Sequence, residues 1–320
     1  MTSPYTYKWG EEFLVNTTTT NSQSTSAVTA LADGRFVVVW TDYSATGGDT
    51  DGAAIRAQIF HADGSKAGGE FLVNTITTAA QLRPSVTALG DGGFAVSWSD
   101  YSQSADDNSS YAIRSQVFGA NGQPAGNEFL VNTTTASSQD YSNMATLSDG
   151  SFVVTWRDDS ASGGDTSSSA IRAQLFDADG TKAGDEFLVN TTTTSAQYQP
   201  DAGALADGGF VIAWYDYSQS GGDTSSFAIR AQPLPRPRAA GEAEAHGEDS
   251  VRPLRGARGQ RHFCRRGLAG GKHAPGTAAS PRPVSRHAGA ERSGPGARGH
   301  RRAFHGDARC RAPAAQARLG

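Results

Sequence analysis

This 320-residue chain has two cysteines, and neither lies in its first 232 residues. A disulfide framework and a thiolate zinc site are therefore excluded from that stretch. Histidine is nearly as scarce there, with only His61, so imidazole-based catalysis has little to draw on. No apolar run approaches the ~18 residues of a membrane span. The opening "MTSPYTYKWGEEF" lacks the charged-then-apolar layout of a cleaved export signal. Helical periodicity is missing from residues 1–232, and so are the nucleophile elbow, the phosphate-binding loop and the zinc-binding helix. These absences leave an all-β chain with no announced reaction.

Instead the chain holds a repeat. "GDEFLVNTTTTSAQ" at 184–197 has near-copies at 10–23, 68–81 and 126–139. The register is 58 residues without an insertion: Phe13, Phe71, Phe129 and Phe187; Asp33, Asp91, Asp149 and Asp207; Trp40, Trp98, Trp156 and Trp214; Arg56, Arg114, Arg172 and Arg230. Each unit reads as four strands, in the second copy "PSVTAL" (84–89), "FAVSWSD" (94–100), "AIRSQVF" (112–118) and "EFLVN" (128–132). Gly-, Asp- and Asn-rich tight turns separate the first pair and the last pair. Strands such as "RFVVVW" (35–40) are apolar on both sides, which suits a sheet packed between two others. Four-stranded antiparallel units at this period predict the blades of a β-propeller over residues 9–232, after a short lead at 1–8. The N-terminal "EEFLVN" (11–16) is a fourth-type strand, and the last copy ends on its third, "FAIRAQ" (227–232). The chain is thus expected to close a four-blade ring with its own N-terminus, or to form an open arc.

The net charge of −4 averages −16 over residues 1–232 with +12 over 233–320. The last 88 residues contain 17 Arg and neither Ile, Tyr, Trp, Met nor Asn. One reading is a disordered basic tail that binds nucleic acid or an acidic surface. The other is a reading-frame slip. Shifting the codons of "PLPRPR" (233–238) by one nucleotide permits Leu-Phe-His-Ala-Arg-Gly, close to "LFDADG" (175–180) and "IFHADG" (59–64). The frameshift reading is preferred, and it expects further blades in the restored frame.

"GGEFLVNT", "LADGRFVVVWTD" and "AIRAQIFHADGSKAG" resemble the repeats of large secreted bacterial proteins of the RTX, or haemolysin-type calcium-binding, class. The resemblance implies a propeller-like scaffold, an extracellular destination by type I-like secretion of the intact product, and an adhesive surface role, with the truncated product staying in the cytoplasm. It carries no calcium ligand over, because "GGDTDGAAI" (47–55) lacks the G-G-x-G-x-D order.

Strand order puts the second-to-third loops (42–54, 100–112, 158–170 and 216–228) and the blade-to-blade links on one wide, acidic, hydroxyl-rich face, the expected binding face. Calcium is the first cation to consider there, through Asp49 with Asp51 and Asp106 with Asp107, because hard cations take clustered oxygens. Tyr43, Tyr101 and Tyr217 offer stacking faces to a cell-surface glycan or protein, and Asp159 breaks that series. Arg56, Arg114, Arg172 and Arg230 are expected to pair structurally with Asp42, Asp100, Asp158 and Asp216, since a repeated buried charge needs a partner. The resulting expectation is a non-catalytic ligand- or calcium-binding scaffold, not an enzyme. The alternatives are a propeller glycoside hydrolase of sialidase type, although the S-x-D-x-G-x-T-W boxes are missing, and nucleic-acid binding if the tail is genuine. An unrepeated cluster of carboxylates and arginines would favour the enzyme.

Overall fold

A computed structural model describes residues 10–104 and 106–235, which fall within one compact unit spanning Met1–His246. The lead at 1–8 and all but the first three residues of the tail (233–320) lie outside the described residues, as do the tail's predicted disorder and its nucleic-acid reading.

The described chain is entirely β. The first sheet contains β1 (Gln23–Ala30), β2 (Phe36–Asp42), β3 (Ala54–Phe60) and β4 (Phe71–Leu72), paired in chain order. The second contains β5 (Gln81–Ala88), β6 (Phe94–Asp100), β7 (Ala112–Phe118) and β8 (Phe129–Leu130). The third is built from β9 (Gln139–Thr146), β10 (Phe152–Asp158), β11 (Ala170–Phe176) and β12 (Phe187–Leu188). The fourth has three described strands, β13 (Gln197–Ala204), β14 (Phe210–Asp216) and β15 (Ala228–Leu234). All pairings are antiparallel, and each sheet is a propeller blade.

The repeated aspartates make the first turn. Asp91 Oδ1 accepts from Gly93 N at 2.9 Å, and Asp149 Oδ1 accepts from Ser151 N at 3.0 Å, closing an Asx-type turn. Between blades the strands meet as two apolar layers. Val37, Val39, Ile55 and Ile59 of the first blade pack on Phe94, Val96, Trp98 and Phe118 of the second. Ala95, Ile113 and Val117 of the second meet Phe152, Val154 and Trp156 of the third, and Val153, Ile171 and Leu175 of the third meet Phe210, Ile212 and Trp214 of the fourth. Within a blade the outer aromatics stack, as Phe94 on Phe118 at 5.2 Å and Phe152 on Phe176 at 5.2 Å.

Two polar devices recur at each joint. Asn74, Asn132 and Asn190 extend the short fourth strands by accepting from Ile55 N, Ile113 N and Ile171 N at 2.8 Å. Glu70, Glu128 and Glu186 accept from the backbone and hydroxyl of Thr17, Thr75 and Thr133 in the segment that precedes each blade, at 2.6–2.8 Å. Burial would raise the Glu186 carboxyl, but donation by Thr133 and Thr134 outweighs it and holds the group below the usual carboxylate range.

The strand reading needed three adjustments. The inner strands begin earlier than "PSVTAL" implied, because a bulge interrupts each one: the register of β5 on β6 shifts between Leu82 and Ser85. The fourth strands shorten to two residues because an Asn side chain takes over the ladder. β15 runs past residue 232 to Leu234, with Phe210 opposite Leu234. The closed-ring option is not realised. Residues 11–16 form no strand with β15, and Phe13 instead lies 5.2 Å from Phe60 of the first blade. The four blades are an open arc.

Candidate functional site

The inner-strand bulges aim four residues at the centre of the arc. Thr25, Arg83, Tyr141 and Gln199 occupy the same place in the four blades, with φ of 47°, 56°, 55° and 50°. A left-handed conformation at non-glycine residues is costly, about 1–3 kcal/mol each, and bulges commonly re-aim side chains beside a site. These residues and Pro84, Ser142 and Pro200 line a central cavity of about 310 Å³.

The repeat diverges beside this cavity. Asp140 stands where the other blades have Ser24, Leu82 and Tyr198, and Arg157 where they have Thr41, Ser99 and Tyr215. Asp140 and Arg157 are cross-strand partners on β9 and β10. Arg157 Nη2 donates to Asp140 Oδ2 at 3.0 Å and to Asp159 Oδ2 at 3.1 Å, so one guanidinium bridges two carboxylates. Arg157 Nε also lies 2.8 Å from Asp140 Oδ1 but is poorly aligned with it, which leaves both atoms short of a directed hydrogen bond. Arg83 Nη1 approaches Asp140 from the neighbouring blade at 3.9 Å. Burial pushes the Asp140 carboxyl up to about 6; Arg157 opposes that rise and the Asp159 charge adds to it.

Aromatic rings frame these charges. The guanidinium of Arg83 lies 4.3 Å from the Tyr141 ring centroid, and that of Arg157 lies 5.3 Å from Tyr141 and 5.0 Å from Tyr198. Arg157, Tyr141, Tyr198, Tyr215, Tyr217 and Phe227 line a cleft of about 580 Å³. The last three rings are about half-exposed and touch edge-on or tilted, with centroids 5.6–5.9 Å apart.

The residues singled out by sequence fall in several places on this face. Tyr217 lines the cleft, whereas Tyr101 stacks on Tyr111 at 4.8 Å and Tyr43 stands exposed on the first blade. Arg56 lies 2.6 Å from Asp42, Arg114 2.9 Å from Asp100 and Arg172 2.7 Å from Asp158, all buried, and Arg230 pairs with Asp216. The loop glycines serve these arginines: a Cβ on Gly47, at φ +61°, would fall 2.5 Å from Arg56 Nη2. Asp49 is buried and accepts from Asn74 Nδ2 at 2.9 Å and Asp51 N at 3.2 Å, while Asp51 accepts from Ala79 N. Burial raises the Asp49 carboxyl, against donation from Asn74. Asp107 repeats this bond to Asn132 at 2.9 Å, and Asp106 is exposed, 3.7 Å from Arg114. Among the described residues no group of three or more His, Cys, Asp or Glu could hold a metal ion.

No protein-family model matches the chain, and no curated protein matches it by sequence. Solved structures do resemble it in fold. They include an endo-arabinase from Bacteroides thetaiotaomicron (13% identity, 66% of this chain and 74% of that one, TM-score 0.37). An alpha-L-arabinofuranosidase of Fusarium graminearum in complex with arabinobiose also matches (13% identity, 66% and 62%, TM-score 0.47). So does a Bacillus subtilis arabinanase (14% identity, 67% and 73%, TM-score 0.39). At this identity the likeness concerns the fold alone. The chain itself carries the unrepeated carboxylate–arginine cluster that was the stated mark of an enzyme. The expectation of a non-catalytic calcium- or ligand-binding scaffold, and of no enzyme, is corrected accordingly. Its premise was that four near-identical blades had not diverged, and they have diverged at Asp140, Tyr141, Arg157 and Asp159.

Proposed function

We propose that the chain is a glycan-acting propeller whose cleft hydrolyses a glycosidic bond with Asp140 as proton donor and Asp159 as the second carboxylate. The observation that carries this reading is the single guanidinium, Arg157, shared by both carboxylates where the repeat diverges. A carboxyl raised to about 6 by burial keeps its proton in mildly acidic solution, as a general acid requires. Asp159 is the more exposed of the two, 29% against 5%.

Two oxygens that share Arg157 Nη2 can be no further apart than those two contacts laid end to end. We propose the retaining course, whose carboxyl groups stand ~5–5.5 Å apart. In that course Asp140 protonates the departing oxygen while Asp159 bonds to the anomeric carbon, and water then releases the sugar as Asp140 takes back the proton. Tyr198, Tyr215, Tyr217 and Phe227 would stack on neutral sugar rings. The extracellular destination implied by the RTX-like repeats belongs to the same proposal, since polymeric glycans are met outside the cell.

The test is reducing-end release from a panel of neutral polysaccharides that includes arabinan, by the full chain and by Asp140→Asn. The variant should lose at least about 100-fold in kcat, in the range general acids contribute. Equal turnover by both proteins, or none by either on any glycan bound in the cleft, would sink the reading.

A further inference from the structure

The two ends of the arc are the two halves of a joint that the chain makes three times internally. In the third blade, β12 completes the sheet: Leu188 and Phe187 pair with Arg172 and Ala173, Asn190 accepts from Ile171 N, and Glu186 accepts from Arg172 Nη1 at 3.1 Å and from Thr133 N at 2.6 Å. In the fourth blade the corresponding groups are present without those partners. β15 pairs only with β14 among the described strands, and Ile229 is 66% exposed where Ile55, Ile113 and Ile171 are fully buried. Arg230 keeps Asp216 and Ser220 but has no Glu among the described residues. Thr191, Thr192, Ile229, Arg230 and Ala231 line an open groove of about 290 Å³ along this edge.

At the other end the complementary strand is available. Residues 12–16, Glu-Phe-Leu-Val-Asn, have the same letters as 186–190. They already sit on the first blade as the outer strand of a preceding blade would. Phe13 lies 5.2 Å from Phe60, as Phe71 lies 5.7 Å from Phe118 and Phe129 5.3 Å from Phe176. Thr17 is latched to Glu70, just as Thr75 is to Glu128. Glu12 is exposed and makes no ion pair among the described residues, and Val28 is 64% exposed where its counterpart Val86 is 9%.

We propose that the chain associates head to tail, with residues 11–16 of one copy adding to β15 of a second copy as its missing fourth strand. Strand addition supplies the backbone bonds, and side chains set the register. Leu14 and Phe13 then face Arg230 and Ala231, Asn16 accepts from Ile229 N, and Glu12 meets Arg230 and Thr191. The charges are opposite, and the apolar faces are those that bury each other inside the arc. Such a contact is heterologous, so it builds rings or filaments according to whether the rotation closes.

The experiment is sedimentation velocity on the full chain over about a hundredfold range of concentration, which spans about 2.7 kcal/mol of association free energy. The wild type should form dimers or longer species as concentration rises. Glu12→Arg and Ile229→Asp, both at exposed positions that leave each blade's own packing intact, should each weaken association at least about tenfold. Mixed together they should give a one-to-one dimer and nothing longer, because each retains one good end. A wild type that stays monomeric throughout, as it would if its own N-terminus closed the ring, overturns the proposal. So do variants that associate like the wild type, or a mixture that fails to pair.

Discussion

Blades two and three differ from blades one and four less in their letters than in what stands beside them. Ile113 and Ile171 are fully buried, and Ile229, at the same place in the same motif, is 66% exposed. Val86 and Met144 are nearly inaccessible, and Val28 is 64% exposed. In this architecture burial belongs to the joint between repeats and not to the repeat. Stability in such arrays is approximately intrinsic unit terms plus nearest-neighbour terms, and the end blades lack one neighbour term each.

The largest test of that contrast is Ile171→Ala against Ile229→Ala. The first should cost about 3–4 kcal/mol by loss of buried area and cavity formation, and the second within about 0.5 kcal/mol. Chemical denaturation reads both, and equal costs would break the comparison. Next is the latch. Glu128→Ala removes the acceptor of Thr75 and leaves Arg114 with Asp100 as its buried partner, with an expected cost of about 3 kcal/mol. Glu12→Ala, at the open end, should leave monomer stability unchanged.

The smallest effect concerns a place where an interior blade departs from its siblings. Asp140 has its carboxyl raised to about 6 in the folded chain, so between about pH 4 and 6 the folded state binds more protons than the unfolded one. Its contribution therefore weakens stability as pH rises through that window, by about 2–3 kcal/mol at most. Asp140→Ser, which installs the residue of the first blade, should remove that slope from the melting temperature between pH 4 and 7. A slope that persists in the variant would place its origin elsewhere.

The 58-residue spacing made the blades, the Asx turns and the arginine series legible, because each is a local pattern repeated in phase. The latches were not legible: Glu70 and Thr17 are 53 residues apart, and nothing in either segment announces the other. Nor were the bulges, since Thr25 and Tyr141 carry no glycine to mark a positive φ. The site was missed for a different reason. Attention to what repeats hid Asp140, Tyr141 and Arg157, which stand at positions where all four copies differ. Asp159 was noticed only as a gap in a tyrosine series. Aligning the four units and reading the disagreements would have found them.

The bulge at Thr25, Arg83, Tyr141 and Gln199 has a consequence for how such a molecule can change. The backbone takes the same turn whichever side chain it carries, so the inner position acts as a socket that accepts threonine, arginine, tyrosine or glutamine alike. Swapping whole units, or the single residue in a socket, would rewrite the centre of the arc while every joint around it keeps its fit.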